Sequence, residues 1–252
     1  MRESILKGKK IVYDGDSICE ERYNGVAANG GAYAKIISDA TGCTYQNFAV
    51  GGGTLASQVG RLSPWGTIRH SIVDCLESLP TDADLYCFEG GINDYWQDLP
   101  LGDFDPFDYD GDLDIKTVCG ALESIFRYAI KHFGGAPVCF VITHKISEYN
   151  METGERTAHT FTKKNSAPLP YTFAECYEKI VGICKKYTIP YYDAYNESGL
   201  NAWDSEHNNR FLTAGGNCSP GRGDGCHPNE EAYKRFFAPQ LIALFERIIP
   251  IE

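Results

Sequence analysis

The chain has 252 residues and a mass of 27.9 kDa, which is enough for one compact domain with a sizeable core. Apolar residues make up 43% of the chain and charged residues 23%, values that exclude a disordered, collagen-like or coiled-coil protein. The formal net charge of −11 would repel nucleic-acid phosphates and anionic lipid surfaces. We therefore expect neither nucleic acid nor a membrane as a partner.

The sequence also favours a cytoplasmic protein. Residues 1–10 contain no apolar run of signal-peptide length, and no segment approaches the roughly 20 apolar residues of a membrane span. The ten cysteines lack the C-x-x-C spacing of a structural zinc site. Cys87 and Cys139 lie in apolar runs and are interpreted as small core residues. The cysteine pattern indicates a reduced compartment; a bridge between Cys218 and Cys226, which flank a glycine-rich loop, is the alternative under oxidising conditions.

Short apolar runs alternate with longer amphipathic stretches, which predicts an α/β fold with a parallel sheet. No linker or repeat divides the chain, so residues 1–252 are expected to form a single domain. The predicted strands are Lys10 to Tyr13, Thr44 to Ala49, Asp84 to Glu89, Pro137 to Thr143 and Ile189 to Asp193. The predicted helices are Gly30 to Thr41, Gly66 to Leu79, Lys116 to Phe133, Tyr171 to Tyr187 and Asn229 to Ile249.

Three long connections follow the third, fourth and fifth strands, at residues 95–115, 145–170 and 196–225. Open α/β sheets bind ligands at the carboxyl ends of their strands, so these segments are expected to wall a pocket. The first contains six aspartates between Asp103 and Asp114. Their spacing does not match an EF-hand calcium loop, which leaves a solvated acidic loop or an ion site of another type.

Residues that can take part in catalysis or binding follow the ends of the first three strands. The first strand leads into residues 14–17, Asp-Gly-Asp-Ser, which place the Ser17 hydroxyl at its carboxyl end. The second leads into the glycines at 51–53, whose backbone amides can approach a ligand closely. The third is followed by Asn93, an uncharged side-chain donor. Each of these motifs alone is equally typical of a turn or a helix cap.

A fourth motif precedes the last predicted helix. Residues 224–229, Asp-Gly-Cys-His-Pro-Asn, offer His227 as a base and Asp224 as a carboxylate to orient it. Because the motif follows the fifth strand, all four motifs are expected to converge at one edge of the sheet. The absence of G-x-S-x-G around Ser17 excludes the nucleophile elbow of α/β-hydrolases.

Together these four motifs resemble the signature blocks of the GDSL, or SGNH, family of serine esterases and acylhydrolases. The resemblance covers residues 11–240, nearly the whole chain. It implies Ser17 as the nucleophile and Asp224 and His227 as its partners. It also implies an oxyanion hole formed by Ser17, Gly52 and Asn93. The implied fold is a three-layer α/β/α sandwich with the flavodoxin-like strand order 2-1-3-4-5.

The implied chemistry agrees with the residue types. A neutral His227 can remove the serine proton and return it to the leaving alcohol, while Asp224 orients the ring. Backbone and amide N–H groups can stabilise the oxyanion of a tetrahedral intermediate. No metal or organic cofactor is required. The phosphate-binding alternative, a flavodoxin-like binding module without catalysis, is disfavoured because Asp14 and Asp16 in the first loop would repel phosphate.

Other histidines offer competing assignments. Asp204 and His207 share the D-x-x-H spacing but lack the following Pro-Asn and helix, so they are interpreted as part of a polar loop. His144 and His159 are interpreted as surface or capping residues rather than substrate contacts.

Aromatic residues near the predicted site suggest a substrate class. They are Trp65, Tyr95, Trp96 and Trp203. Aromatic faces suit the C–H surfaces of sugars, whereas a long acyl chain requires an aliphatic trough. The sequence therefore favours a short-chain ester, such as an acetyl ester on a small molecule or a carbohydrate. The same rings could instead pin the loops to the domain, and a lysophospholipase or thioesterase with the same machinery is the alternative enzyme.

Overall fold

The computed structural model describes residues 3–20, 22–23, 26–27, 32–61, 70–146, 148–149, 156–157, 170–202, 204–215 and 223–250. Within these ranges the chain forms a central five-stranded sheet with helices on both faces. The sheet strands are β1 (Lys10–Asp14), β4 (Thr44–Asn47), β5 (Leu85–Gly90), β6 (Val138–Ile142) and β9 (Tyr191–Asp193). Two short antiparallel pairs lie outside it: β2 (Arg22–Tyr23) with β3 (Val26–Ala27), and β7 (Glu148–Tyr149) with β8 (Arg156–Thr157).

The sheet is parallel throughout and its strand order is β4-β1-β5-β6-β9. This is the order 2-1-3-4-5, which confirms the expected α/β sandwich. In the register, Ile11 lies opposite both Tyr45 and Leu85, and Cys87 lies opposite Cys139. β4 lies on one side of β1, whereas β5 and the later strands of the sheet lie on the other side. The carboxyl end of β1 therefore lies at the topological switch point, where ligands bind in such folds.

Burial explains why the central strands match the sequence prediction better than the edge strand does. Every residue of β5 and β6 is buried, because helices cover both faces of these central strands. The edge strand β4 is shorter than predicted. It ends at Asn47 because the side chain of this residue turns back to bond the chain, donating to the Cys19 carbonyl at 2.7 Å and accepting from the Ala49 N–H at 3.1 Å.

The helices form the two outer layers. They are α1 (Tyr33–Thr41), α2 (Ile72–Cys75) with a 3₁₀ turn at Leu76–Ser78, α3 (Ile92–Trp96), α4 (Val118–His132), α5 (Phe173–Lys186), α6 (Ala194–Glu197), α7 (Ser205–Phe211), α8 (Glu230–Ala232) and α9 (Ala238–Ile248). Helix α1 packs against α9, whereas α4 packs against α2 and α5. Thr117 and Thr172 cap the N-termini of α4 and α5, which fixes the predicted starts of both helices. Among the described residues, none of the helices combines the length and the apolar character needed to cross a membrane.

The last predicted helix is interrupted. A π-helical segment, Tyr233–Phe237, separates α8 from α9. Pro239 explains the break, because it has no N–H and its ring would clash with the carbonyl of Arg235 in a regular helix. The start of the helix predicted over Gly66 to Leu79 lies outside the described residues, which resume at His70; α2 covers Ile72–Cys75, and a 3₁₀ turn follows it.

The acidic loop, residues 103–114, is held against α4 and α5 by basic side chains. Lys179 pairs with Asp103 at 2.6 Å, Arg127 donates to the Gly111 carbonyl at 2.7 Å, and Lys186 donates to the Asp108 carbonyl at 2.6 Å. In the described part of the chain, no group of three or more acidic, histidine or cysteine side chains is arranged to hold a metal ion. The contacts from Lys179, Arg127 and Lys186 hold the loop against the two helices.

Candidate active site

Ser17 lies just beyond the carboxyl end of β1, in a tight turn that starts with Gly15 and Asp16. The Asp16 side chain accepts the Ile18 N–H at 2.8 Å, which closes the turn around the serine. Position 15 has no room for a side chain, because a Cβ there would lie 3.0 Å from the Glu89 carbonyl oxygen. The sequence Gly-Asp-Ser thus folds as one unit that leaves Ser17 partly exposed.

His227 and Asp224 come from the loop before α8 and meet this serine. The Ser17 Oγ lies 2.9 Å from the His227 Nε2, and the His227 Nδ1 lies 2.6 Å from the Asp224 Oδ2. The other carboxylate oxygen of Asp224 accepts the N–H groups of Cys226 and His227, both at 2.9 Å. With Nδ1–H donated to Asp224, Nε2 is the nitrogen that can accept the serine proton.

Asp224 is held in its charged form. Burial would raise the pKa of this carboxyl, but the hydrogen bond from the His227 ring and those from the two backbone N–H groups outweigh it, so the pKa is lowered from its ordinary value. A carboxylate that stays ionised can both orient the imidazole and stabilise the imidazolium that forms when Ser17 is deprotonated.

Gly52 and Asn93 lie on either side of this serine turn. Gly52 has a φ of +79°, a left-handed conformation that favours glycine, and its carbonyl accepts the Gln97 side-chain amide at 2.8 Å. Asn93 lies in the first turn of α3, and its Nδ2 donates to the Asp16 Oδ2 at 2.9 Å. A primary amide carries two N–H groups, so this contact orients Asn93 while using one of them.

Comparison with known proteins gives the family. The family described as GDSL-like Lipase/Acylhydrolase matches residues 15–235. The chain belongs to the GDSL-like lipase/acylhydrolase family. No curated protein matches the sequence.

Solved structures share this family fold. A protein from Lactobacillus plantarum is 22% identical, with a TM-score of 0.71 over 96% of this chain and 98% of that one. A possible lipase from Chitinophaga pinensis is 19% identical, with a TM-score of 0.64 over 95% and 98%. An active-site mutant of a family two carbohydrate esterase from Clostridium thermocellum is 11% identical, with a TM-score of 0.51 over 98% and 65%. At these identities the likeness establishes the fold.

Asp94 supports the GDSL site through buried hydrogen bonds. The sequence did not predict this role. The fully buried carboxylate of Asp94 accepts the N–H groups of Leu55 and Ala56, both at 2.9 Å, and so ties α3 to the glycine-rich segment after β4. Burial raises the pKa of Asp94 to about 7. The sequence signal was its position beside Asn93, which a turn explains equally well.

His70 and Asp14 form a second supporting pair. The His70 Nε2 lies 2.7 Å from the buried Asp14 Oδ1, and the His70 carbonyl accepts the Thr54 N–H at 3.1 Å. A Cβ on Gly53 would lie 3.2 Å from the His70 ring, so the histidine packs directly beneath the glycine segment. A single histidine in the sequence gave no signal of this role.

The competing D-x-x-H pair does not lie in the polar loop that the sequence suggested, because a helix begins within it. Asp204 is the N-cap of α7, and its side chain accepts the His207 N–H at 2.9 Å. The His207 ring packs on Phe211 and Phe236, at centroid distances of 5.3 and 6.3 Å. Asp204 thus bonds the backbone of His207 and caps a helix.

His144 is not the surface or capping residue that the sequence suggested. It follows β6 and is completely buried, with its ring edge-on to Phe237 at 5.6 Å. Burial lowers the pKa of His144 to about 4, so it is neutral at physiological pH. His159 lies outside the described residues.

The aromatic residues proposed to contact substrate are placed differently from one another. Tyr95 is only 3% exposed and packs edge-on against Tyr171 and Phe173, so its ring belongs to the core and offers no free face. This corrects the expectation for Tyr95. Trp96 is half-buried beside it. Trp65 and Trp203 lie outside the described residues, as does Cys218, the expected partner of Cys226.

Proposed function

We propose that the chain is a serine esterase that cleaves short-chain esters, acetyl esters above all, on a small molecule or carbohydrate. The observation that carries this proposal is the continuous hydrogen-bond chain from Ser17 through His227 to Asp224, with distances of 2.9 and 2.6 Å. Membership of the GDSL-like family supports a hydrolase of this kind.

In the proposed mechanism, His227 Nε2 takes the Ser17 proton as Oγ attacks the ester carbonyl. The resulting oxyanion receives hydrogen bonds from the backbone N–H groups of Ser17 and Gly52 and from the second N–H of Asn93. The intermediate collapses as His227 returns the proton to the leaving alcohol, which leaves an acyl group on Ser17. Water, activated by the same imidazole, releases the acid and restores the serine.

The charges around the serine support a neutral substrate. The buried Asp16 directly precedes Ser17, and Glu20 lies close enough to the glycine segment for its carboxylate to accept the Gly51 N–H. Carboxylates beside the serine repel an anionic acyl donor such as a phospholipid or acyl-coenzyme A. An uncharged acetyl ester meets no such repulsion.

The carbohydrate part of the proposal has separate support. The Clostridium thermocellum neighbour is a carbohydrate esterase, and its structure is a complex with celluohexase. In this chain Trp96 follows the Asn93 motif and is half-buried. Sugar rings stack on aromatic faces, and Trp96 is the described tryptophan proposed for that role.

The test is a panel of p-nitrophenyl esters with acyl chains from two to twelve carbons, together with acetylated monosaccharides and oligosaccharides. We expect the highest kcat/KM on acetyl esters and a fall by eight carbons. Faster turnover of the long chains would instead support the lysophospholipase alternative. Acetyl esters of sugars that react no faster than p-nitrophenyl acetate would remove the carbohydrate part of the proposal.

A further inference from the structure

A buried glutamate lies directly behind the proposed oxyanion hole. Glu89 is near the carboxyl end of β5, where it pairs in register with Val141 of β6. Its exposed fraction is 0%. A carboxyl group in the centre of a sheet is costly unless its hydrogen bonds are satisfied, so its contacts are informative.

Those contacts lead to the serine turn. The Thr143 hydroxyl donates to Glu89 Oε1 at 2.8 Å, and the Asp16 N–H donates to Oε2 at 3.3 Å. The two carboxyl groups also lie close enough for each to influence the pKa of the other. Neighbouring buried carboxylates repel each other, so the contacts that hold this pair in place are structurally important.

Asp16 is the link between Glu89 and Asn93. Burial raises the pKa of both Glu89 and Asp16, so neither carboxyl group is stable without hydrogen-bond partners. Both side-chain oxygens of Asp16 accept N–H groups, Oδ1 from Ile18 at 2.8 Å and Oδ2 from the Asn93 amide at 2.9 Å. Its own backbone N–H is held by Glu89, so the three residues form one hydrogen-bonded series.

We propose that Glu89 is a positioning residue of the oxyanion hole: its buried carboxyl group holds the backbone N–H of Asp16, whose carboxylate in turn holds the side-chain amide of Asn93. The inference rests on the proposed function, since Asn93 stabilises the oxyanion there. Its physical basis is that the bond to Glu89 and the bond from the Ile18 N–H together fix the backbone and the side chain of Asp16. Asn93 is thereby held in one orientation.

The test is a double-mutant cycle between positions 89 and 93. Glu89→Met is expected to lower kcat on p-nitrophenyl acetate by roughly 10- to 100-fold with KM within threefold, and Glu89→Gln to recover most of that loss because its side-chain oxygen can still accept the Asp16 N–H. In the Asn93→Ala background the Glu89→Met loss should shrink to about threefold or less. The matched control is Cys87→Ala, two residues earlier on the same buried strand, which should leave kcat within about twofold.

Two results would overturn the inference: an unchanged kcat in Glu89→Met, or an equal loss with and without Asn93. If Glu89→Met does not fold, Thr143→Val enters the same cycle, since it removes the hydroxyl that holds Glu89 without changing shape. It should lower kcat about three- to tenfold, and only when Asn93 is present; no loss, or an equal loss in both backgrounds, contradicts the inference. Failure of the proposed function would be separate, because it would appear as full activity in Ser17→Ala.

Discussion

Asn93 donates a side-chain N–H to the buried carboxylate of Asp16, 2.9 Å away, and so links helix α3 to the turn that presents Ser17. Two of the sequence motifs are thereby held in one hydrogen-bonded unit. The nucleophile and the proposed oxyanion donor consequently keep a fixed separation when substrate arrives. Preorganised donors of this kind do not have to reorient as charge develops, which is why they contribute strongly to rate.

Removing this donor should affect the transition state more than substrate binding. We expect Asn93→Ala to lower kcat by roughly 10²–10³ with little change in KM, the usual cost of losing one oxyanion donor. Steady-state kinetics on p-nitrophenyl acetate measures it. Asn196→Ala, at an exposed position of α6, is the control and should retain activity. A near wild-type kcat in Asn93→Ala would exclude this side chain from the hole.

The two D-x-x-H pairs should respond oppositely to substitution. Asp224→Asn should cost on the order of 10²–10⁴ in kcat, because the amide cannot hold His227 in the required tautomer, and His227→Ala should remove nearly all turnover. Asp204→Ala should instead lower the free energy of unfolding by about 1 kcal/mol through loss of the α7 cap, with kcat within about tenfold of wild type. If His207→Ala and Asp204→Ala prove inactive while the other pair survives, the base has been misassigned.

His144 predicts a specific dependence of stability on pH. Its pKa is about 4 in the folded protein and 6.5 for the ordinary side chain, so between these values the unfolded chain binds a proton that the folded chain does not. The free energy of unfolding should therefore fall as pH drops from 6.5 to 4, by about 3 kcal/mol from this group, and be retained above pH 6.5.

Chemical denaturation at several pH values measures this contribution. His144→Leu should flatten the acid-side loss of stability, whereas His132→Gln, at an exposed histidine at the end of α4, should leave it in place. An identical pH slope in wild type and His144→Leu would show that the buried imidazole does not contribute.

Apolar runs predicted the buried strands, and parallel strands that bring their carboxyl ends to one edge predicted the convergence of Ser17, Asn93, Asp224 and His227. The order of the strands in the sheet was implied by the resemblance to the GDSL family. The sequence could not predict the supporting shell. Glu89, Asp94 and His70 act through contacts between residues distant in the chain, and each looks ordinary in its local sequence. Tyr95 was placed wrongly for the same reason: only packing against Tyr171 and Phe173 shows that its ring faces the core.

Labelling with a fluorophosphonate, followed by peptide mass spectrometry, tests the central claim most directly. Only a serine activated by a base and next to oxyanion donors attacks phosphorus readily. We predict one adduct per chain, on Ser17, with labelling abolished in His227→Ala and retained in His207→Ala. An adduct on another serine, or no adduct in protein that hydrolyses esters, would contradict the assignment of Ser17 as the nucleophile.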